Sequence, residues 1–311
     1  MTIFEKANYL IETIENAGFE AYQVGGCVRD FFMKRKCDDI DITTSAKPGD
    51  LEKILVENNI KYIETGLKHG TVTAVFYGDN FEITTYRTDG EYIDNRHPEN
   101  VSFVSNIDED LSRRDFTINA IAYNPNKDEI VDLFGGRDDI ENKIIKAVGN
   151  PDKRFKEDAL RIMRAIRFSS TLGFEIEENT KAALFRNKEL LKNVSAERIF
   201  TELSKLLLGD NVFDVLTEYK EIIGVIIPEL VPIFTCGQNT VWNIFDVYTH
   251  TAKTVEQAPR LLSLRLTMLL HDIGKDEQYE SGISHDVASE RVADAILGGM
   301  PDDVAFEPAD A

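Results

Sequence analysis

Two aspartates separated by one residue, Asp39 and Asp41, are the side chains whose type and spacing most directly suggest chemistry in this sequence. They lie in VGGCVRDFFMKRKCDDIDITTSA, residues 24–46, where DDIDITT alternates polar and β-branched residues and predicts a strand. Residues two apart on a strand point to the same face, so the two carboxylates would repel each other unless a cation held them. Mg²⁺ prefers such oxygen ligands. The pair is therefore a candidate metal site, although an isolated Asp-x-Asp is also typical of a solvated strand end.

The residues upstream of this pair favour the binding of an anion. Gly25 and Gly26 would let backbone N–H groups approach a phosphate, and Arg29 could pair with it in a fork geometry. Glycines alone are explained equally well by a tight turn. Together with the aspartates, they predict a nucleoside triphosphate held by backbone and arginine, with metal ions held by the carboxylates. Glu82, in the predicted strand NFEITT, is a candidate third acidic group at the same edge of the sheet.

The elements that must position these residues change character along the chain. Alternating strand and helix signals predict an α+β head with a small mixed sheet over residues 1–145. From about residue 150 the pattern is helical, which predicts a neck over residues 146–210 and a helical body over residues 211–311. Ser195 is the predicted N-cap of one of these helices.

The composition limits the class of protein. The chain has 311 residues, 42% of them hydrophobic, and a formal net charge of −20, which excludes an all-over basic coat for nucleic acid. Residues 151–170 are nevertheless locally basic. Three cysteines without a Cys-x-x-Cys spacing predict reduced thiols. With no apolar run long enough for a membrane span, the expectation is a cytoplasmic protein with no membrane partner. No pattern predicts an oligomeric state.

The helical half carries a second set of polar candidates. Asp158 and Arg161 share one face of the predicted helix EDALR, and Arg164 and Arg167 continue along it. On spacing alone, an ordinary intrahelical salt bridge is the simpler interpretation of the first pair.

Residues 24–46 resemble the head-domain signature of class II nucleotidyltransferases, the family of tRNA CCA-adding enzymes and bacterial poly(A) polymerases. Further matches follow in the family's order to about residue 210: FEITTYR, RRDFTINAIAYN, DLFGGRDDIENK, KRFKEDALRIMRAIRFSSTLGF and AERIFTELSKLL. The resemblance implies a DNA polymerase beta-like nucleotidyltransferase head, followed by an all-α neck and body.

The same resemblance implies roles for residues of the head. Asp39 and Asp41 would bind the catalytic metals, and Gly26 and Arg29 would contact the nucleotide. Arg114 and Asp115, in RRDFTINA, would lie near the ribose and phosphates. Asp115 could equally cap a helix predicted over FTINAIA.

In the neck, the resemblance implies that Asp158 and Arg161 read the Watson–Crick edge of the incoming base. A carboxylate accepts and a guanidinium donates hydrogen bonds in a fixed plane, which suits this task. Arg164 and Arg167 would then meet phosphates.

The implied reaction is attack of an RNA 3′ hydroxyl on the α-phosphorus of CTP or ATP, with Mg²⁺ as cofactor and tRNA as partner. RTDGEYIDNRHPENV resembles a flexible loop that CC-adding relatives lack, and EDALR has alanine where bacterial poly(A) polymerases carry proline. These features favour CCA addition. An A-adding enzyme, a poly(A) polymerase, and a nucleotide-binding or HD hydrolase protein with an inactive transferase head remain alternatives.

A further resemblance lies downstream. YTHTAKTV, LLHDIGK and SHD resemble the HD phosphohydrolase signature, here in a truncated HD-like region. His250, His271 and Asp272 form a possible second metal site, because imidazole and carboxylate suit a transition metal, and His285 could be a further contact. An HD fold can also persist as a scaffold without metal.

Overall fold

The computed structural model describes residues 1–66, 70–90, 101–237, 245–275 and 284–298. The chain forms two compact units, Met1–Glu157 and Asp158–Ala311. Helix α6 (Pro151–Glu157), which the sequence analysis assigned to the neck, packs in the first unit, where Arg154 Nη1 donates to the carbonyl of Ser112 at 3.1 Å. None of the described helices is both long enough and apolar enough to cross a membrane.

The first unit contains the mixed sheet and six helices among its described residues. The helices are α1 (Ile3–Asn16), α2 (Gly26–Phe32), α3 (Pro48–Glu57), α4 (Ile107–Ser112), α5 (Gly136–Glu141) and α6. The strands are β1 (Ala21–Val24), β2 (Asp41–Thr44), β3 (Lys61–Gly66), β4 (Thr71–Phe76), β5 (Asp79–Thr85), β6 (Arg87–Asp89), β7 (Val101–Phe103), β8 (Ile121–Asn124), β9 (Glu129–Asp132) and β10 (Ile144–Ile145).

Seven strands form one sheet in the order β3-β4-β5-β2-β1-β8-β9. The pair β2–β5 is parallel, while β1 is antiparallel to both β2 and β8. The predicted α+β class with a mixed sheet is therefore confirmed. Strands β6 and β7 pair separately, and residues 91–100 of the predicted flexible loop lie outside the described residues.

Helix α1 illustrates how the local sequence determines where a helix begins and which of its faces is buried. Thr2 and Glu5 form a reciprocal capping box, in which the Glu5 N–H donates to the Thr2 hydroxyl at 3.2 Å. The apolar side chains at helical spacing are fully buried: Ala7, Leu10, Ile11 and Ile14. Burial of each large aliphatic side chain contributes about 1.5–3 kcal/mol to stability.

Two predicted elements of the first unit differ from those observed. Strand β2 begins at Asp41 rather than before Asp39, because Asp41 pairs with Val24 and the chain of β1 turns away at Gly25. The segment FTINAIA is not a helix but a 3₁₀ turn (Thr117–Asn119) that leads into β8. Pairing of β8 with both β1 and β9 satisfies its backbone groups and overrides the local helical pattern.

The second unit is helical. Its helices are α7 (Leu160–Leu172), α8 (Glu178–Asn187), α9 (Ala196–Leu207), α10 (Val212–Glu218), α11 (Lys220–Ile226), α12 (Val247–Gln257), α13 (Leu262–Leu270) and α14 (His285–Gly298), with a short strand β11 (Glu175–Ile176). Ser195 is the N-cap of α9 as predicted, but its side chain makes no capping hydrogen bond. Buried Arg265 donates to the carbonyls of Leu207 and Gly209 and so satisfies the end of α9.

Candidate functional site

The predicted acidic residues of the first unit lie together at one edge of the central strands. Asp41 opens β2, and the register Ile42↔Ile83 places Glu82 of β5 directly beside it. Asp39 is exposed and lies on the same side of the chain as Asp41, since Ile40 and Ile42 both point into the core. The structure therefore brings the three candidate carboxylates into one cluster.

In the carboxylate cluster, the negative charges around Asp41 outweigh the positive charge of Arg114. Burial, which has the largest effect, and the negative charges of Asp39 and Glu82 together raise the pKa of Asp41 to about 6, against the opposing effect of Arg114. Carboxylates forced together in this way are stabilised when a cation enters between them. The oxygen donors fit a hard divalent cation such as Mg²⁺, with Asp39 and Asp41 as its candidate ligands.

Gly25 lies between Asp41 of the carboxylate cluster and the guanidinium of Arg114. Its φ of 78° lies in the region that favours glycine, and a Cβ there would lie 3.4 Å from Arg114 Nη1 and 3.9 Å from Asp41 Oδ2. The chain therefore needs glycine both for the turn into α2 and for the open space beside two candidate functional side chains. Gly26, the first residue of α2, lies close to Arg29, whose Nη2 would be 3.6 Å from a Cβ at that position.

Arg29 and Asp115 belong to one buried network. Arg29 Nη1 donates to Asn119 Oδ1 at 2.8 Å, and Arg29 Nε donates to Asp30 Oδ1 at 2.9 Å. Asn119 Nδ2 in turn donates to Asp115 Oδ1 at 3.2 Å, which also accepts the Phe116 N–H at 2.8 Å. Asp115 thus has a local structural role at the turn while it is linked to the predicted nucleotide-binding arginine. Sequence reasoning missed Asn119, because its partner is 90 residues away.

A buried carboxylate that the sequence analysis missed holds Arg114. Asp110 is fully buried, and it accepts hydrogen bonds from Arg114 Nη2 at 3.1 Å and from Arg113 Nη2 at 2.8 Å. Burial acts to raise the pKa of Asp110, but the two guanidinium groups outweigh it and hold the pKa below its usual value. The spacing of three and four residues from Asp110 to the arginines was the signal available in the sequence.

In the second unit, Asp158 and Arg161 lie together at the start of α7. Asp158 Oδ1 accepts the Leu160 N–H at 3.1 Å, and the Arg161 N–H donates to the carbonyl of Asp158 at 3.1 Å. Asp158 Oδ2 accepts a hydrogen bond from Arg198 Nη2 of α9 at 2.9 Å. Arg198 is a third residue missed from the sequence, and it fixes the orientation of the Asp158 carboxylate.

Arg164 and Arg167 differ in their surroundings. Arg167 Nε donates to buried Glu202 at 2.8 Å, and its guanidinium lies 3.6 Å from the centre of the Phe168 ring. Arg164 is more exposed and lies 3.9 Å from the other oxygen of Glu202. The contacts of Arg167 hold α7 against α9, so Arg164 is the better placed of the two for an external phosphate.

His250, His271 and Asp272 form a cluster whose potential ligand atoms all lie within 4.8 Å of one another. Asp272 Oδ2 lies 3.8 Å from His250 Nε2 and 3.3 Å from His271 Nε2, but 2.7 Å from Lys275 Nζ. Although burial acts in the opposite direction, hydrogen bonds from His271 and Lys275 lower the pKa of Asp272 to about 2. The donor set suits a transition metal, which would have to compete with Lys275 for this oxygen. The side chain of His285 lies outside the described residues.

Two family models match the chain. The model described as the poly A polymerase head domain matches residues 21–146, and the model described as the probable RNA and SrmB-binding site of polymerase A matches residues 173–232. The first match contains the carboxylate cluster, and the second begins downstream of Asp158 and Arg161.

Several curated proteins similar to this chain are named CCA-adding enzyme. The CCA-adding enzyme of Lactobacillus helveticus is 53% identical over 207 residues, which are 67% of this chain and 51% of that protein. The CCA-adding enzyme of Oceanobacillus iheyensis is 45% identical over 239 residues, 77% of this chain and 58% of that protein. The chain thus spans little more than half the length of these curated relatives. The crystal structure of the Bacillus stearothermophilus CCA-adding enzyme in complex with CTP is 32% identical, with a TM-score of 0.64, and the match covers 96% of this chain and 83% of that one.

Proposed function

We propose that this chain, which belongs to the family of CCA-adding enzymes and bacterial poly(A) polymerases, adds C, C and A to the 3′ end of tRNA from CTP and ATP and releases pyrophosphate. The observation that carries the proposal is the cluster of Asp39, Asp41 and Glu82 beside Arg114. Three carboxylates against one guanidinium suit a site that works with divalent cations and a triphosphate.

The residues of the first unit have separate tasks in this reaction. Asp39 and Asp41 would hold Mg²⁺, which when bound activates the attacking 3′ hydroxyl and neutralises the leaving pyrophosphate. Arg114, oriented by Asp110, offers its Nη1 beside Gly25 to the phosphates. The backbone at Gly25 and Gly26 allows close approach of the triphosphate. Catalysis then comes from positioning and charge neutralisation, and no covalent enzyme intermediate is needed.

Selection of the base falls to Asp158 and Arg161. The carboxylate accepts and the guanidinium donates hydrogen bonds to the Watson–Crick edge of C or A. Arg198 supports this task because its hydrogen bond to Asp158 Oδ2 restricts rotation of the carboxylate. Arg164 is proposed to contact a phosphate, and the same role for Arg167 would require its release from Glu202.

CCA addition is preferred to the other activities of the family for two reasons. The curated relatives and the CTP-bound structure are named as CCA-adding enzymes. The segment EDALR also has alanine at position 159, where the pattern of bacterial poly(A) polymerases has proline. We propose a cytoplasmic enzyme, since its free thiols are typical of a reducing compartment. A metal-binding HD site at His250, His271 and Asp272 is a second, separate hypothesis.

The test is a denaturing-gel assay with tRNA that ends before CCA or after CC, given CTP, ATP, both or neither in the presence of Mg²⁺. We expect two C residues and one A to be added in order, followed by a stop. Addition of A alone to the CC-ended tRNA would identify an A-adding enzyme, and a long A ladder would identify a poly(A) polymerase. No addition despite nucleotide binding would support the binding-protein alternative and contradict the proposal.

A further inference from the structure

The C-terminal end of α2 presents stacked aromatic side chains to solvent. The ring of Phe31 stacks on that of Tyr123 in β8, with the ring centres 5.4 Å apart and 15° between the planes, and its centre lies 5.5 Å from that of Phe32. The guanidinium of Arg137, in α5, lies 5.1 Å from the centre of the Phe32 ring. These contacts hold Phe31 in place, yet 48% of its surface remains exposed.

Positive charge lies beside these rings. Lys34, Arg35 and Lys36 directly follow α2, and all three are exposed. Lys36 pairs with Asp38 at 2.7 Å. Among the described residues, Lys34 and Arg137 have no ion-pair partner. In a chain with a formal net charge of −20, these cations make the surface around Phe31 a local exception that would attract an anionic ligand.

The backbone at Lys34 is strained. Its φ of 55° lies in the left-handed region, which is unfavourable for residues with a Cβ. There the Lys34 N–H donates to the carbonyl of Phe31 at 3.0 Å, and the Arg35 N–H donates to that of Asp30 at 2.8 Å, so the end of α2 is satisfied. Glycine is the usual residue at such a helix end. The backbone therefore gives no reason for a lysine at this position.

Helix α2 connects this surface to the carboxylate cluster. The helix begins at the turn where Gly25 lies beside Asp41 and Arg114, and it ends at Phe32. Its seven residues span about 10 Å. That length corresponds to about three stacked nucleotides, at about 3.4 Å each. A strand of RNA could therefore reach from the end of α2 to the cluster within a few nucleotides.

We propose that the end of α2 binds single-stranded RNA just upstream of the 3′ terminus that is to be extended, with a base stacked on Phe31 and phosphates held by Lys34 and Arg137. The inference deepens the proposed function and rests on it. We call this surface the α2 platform, formed by Phe31, Phe32, Lys34, Tyr123 and Arg137.

Stacking suits a primer whose end changes during the reaction. Each addition places a different base a given distance from the 3′ terminus, so a platform that read base edges would fit only one stage. An aromatic ring accepts every base because every base has a π-face, and lysine and arginine contact phosphates without regard to sequence.

The first experiment measures binding of the full chain to a twelve-nucleotide single-stranded RNA, labelled with fluorescein at its 5′ end, by fluorescence anisotropy in EDTA. Phe31→Ala should raise the Kd roughly tenfold, the loss typical of one base–aromatic stack. Phe31→Leu keeps an apolar side chain against Tyr123 and should also weaken binding, should the alanine variant not fold. An unchanged Kd in the leucine variant would overturn the proposal.

Lys34→Gly separates a ligand contact from a structural role. Glycine relieves the backbone strain, so the melting temperature should be no lower than that of the unmodified protein. The Kd for the RNA should nevertheless rise, and the slope of log Kd against log KCl concentration should fall by about 0.7, the value for one phosphate contact on a single strand. An unchanged Kd and slope would overturn the role of Lys34.

Two matched controls lie outside the α2 platform. Tyr77 is an aromatic residue with 73% of its surface exposed, in the turn between β4 and β5. Lys143 is exposed with a φ of 57°, and it follows the end of α5 opposite to Arg137. Tyr77→Ala and Lys143→Gly should leave the Kd and its salt dependence unchanged. Losses equal to those of the platform variants would contradict a specific site.

The second experiment locates the RNA and links the platform to the reaction. RNA with 4-thiouridine three nucleotides from its 3′ end should crosslink under ultraviolet light to the peptide that contains Phe31, whereas 4-thiouridine at the 5′ end should not. In the addition assay, Phe31→Leu should raise the KM for primer RNA roughly tenfold and leave the KM for CTP unchanged. An unchanged primer KM in an active enzyme would overturn this proposal alone. A chain that crosslinks through Phe31 but adds no nucleotide would contradict the proposed function alone.

Discussion

Among single residues, Asp41 is the carboxylate of the cluster whose ionised form is proposed to bind metal but is unfavourable for stability when no cation is present. Burial and the charges of Asp39 and Glu82 disfavour its ionised form when no cation is present. We predict that Asp41→Asn lowers nucleotide addition by roughly 100-fold or more, since a bound metal supplies several kcal/mol of transition-state stabilisation. The melting temperature of the Asp41→Asn variant in EDTA should be no lower than that of the unmodified protein, because the substitution removes a repulsive charge.

The matched control for this prediction is Asp38→Asn. Asp38 is exposed, pairs with Lys36 at 2.7 Å, and directly precedes Asp39 in the sequence. This variant should leave both nucleotide addition and melting temperature unchanged. Equal losses of activity in the two variants would contradict the assignment of Asp41 as a metal ligand.

Arg161 is the residue on which base selection should depend. We predict that Arg161→Ala reduces the preference for CTP over UTP by roughly 10-fold or more, because a site built to hydrogen-bond one base discriminates through those bonds. Steady-state kinetics with each nucleotide measures the preference, and Arg186→Ala, an exposed arginine of α8, is the control. An equal loss with all four nucleotides would count against a template role.

At the scale of elements, the turn from β1 into α2 determines the room beside the cluster. Gly25 and Gly18 both have positive φ, 78° and 91°, so alanine at either position costs about 1–2 kcal/mol of backbone strain. Only at Gly25 would the added methyl approach Arg114 and Asp41, whereas nothing lies within 4 Å at Gly18. Gly25→Ala should therefore lower nucleotide addition at least tenfold more than Gly18→Ala at similar stability. Parallel losses in the two variants would contradict this role of the turn.

Helix α4 contributes Asp110, whose ion pairs should make stability depend on pH. The folded pKa of Asp110 lies below its ordinary value of 3.8, so the ion pairs stabilise the fold above that value, and this contribution is lost as the pH falls through the folded pKa. Asp110→Asn should lower the free energy of unfolding by about 3 kcal/mol at pH 7. Urea unfolding at pH 7 and pH 3 should show a smaller difference at pH 3.

The exposed neighbour Glu109 provides the control for α4. Glu109→Gln should change the free energy of unfolding little at either pH, since it removes a solvated charge. A difference between Asp110→Asn and the unmodified protein that stays constant with pH would argue that the lost contribution is packing rather than charge.

For the whole molecule, the balance of charge predicts the salt dependence of the proposed binding to tRNA. The chain has 55 acidic against 35 basic residues, so an RNA backbone would be repelled by most of its surface and held only by local basic patches. We predict that the Kd for tRNA rises by roughly 10-fold or more between 50 and 200 mM KCl, since phosphate contacts release counterions. Filter binding over this range tests the prediction, and a salt-independent Kd would contradict it.

Much of the carboxylate site was predictable because its signals are local. The spacing of Asp39 and Asp41, the adjacent glycines and the capping box of α1 are properties of residues within a few positions of one another. Such patterns fix side-chain direction and backbone freedom before any tertiary contact is made. They predicted the mixed sheet, the helical second unit and the candidate metal ligands.

Other features could not be read in the same way because they depend on distant parts of the chain. The start of β2 is set by the end of its partner β1, and FTINAIA becomes a turn and a strand because β1 and β9 offer it backbone partners. Asn119 reaches Arg29 across 90 residues, and Arg198 reaches Asp158 across 40.

The sequence by itself therefore determined which groups could bind metal and nucleotide. The tertiary structure alone decided which partners hold those groups, such as Asp110 for Arg114 and Arg198 for Asp158. The physical reason is that spacing controls orientation only over a turn of helix or a few residues of strand. Hydrogen bonds and ion pairs, in contrast, require atoms about 3 Å apart, a condition that the packing of the whole unit must satisfy.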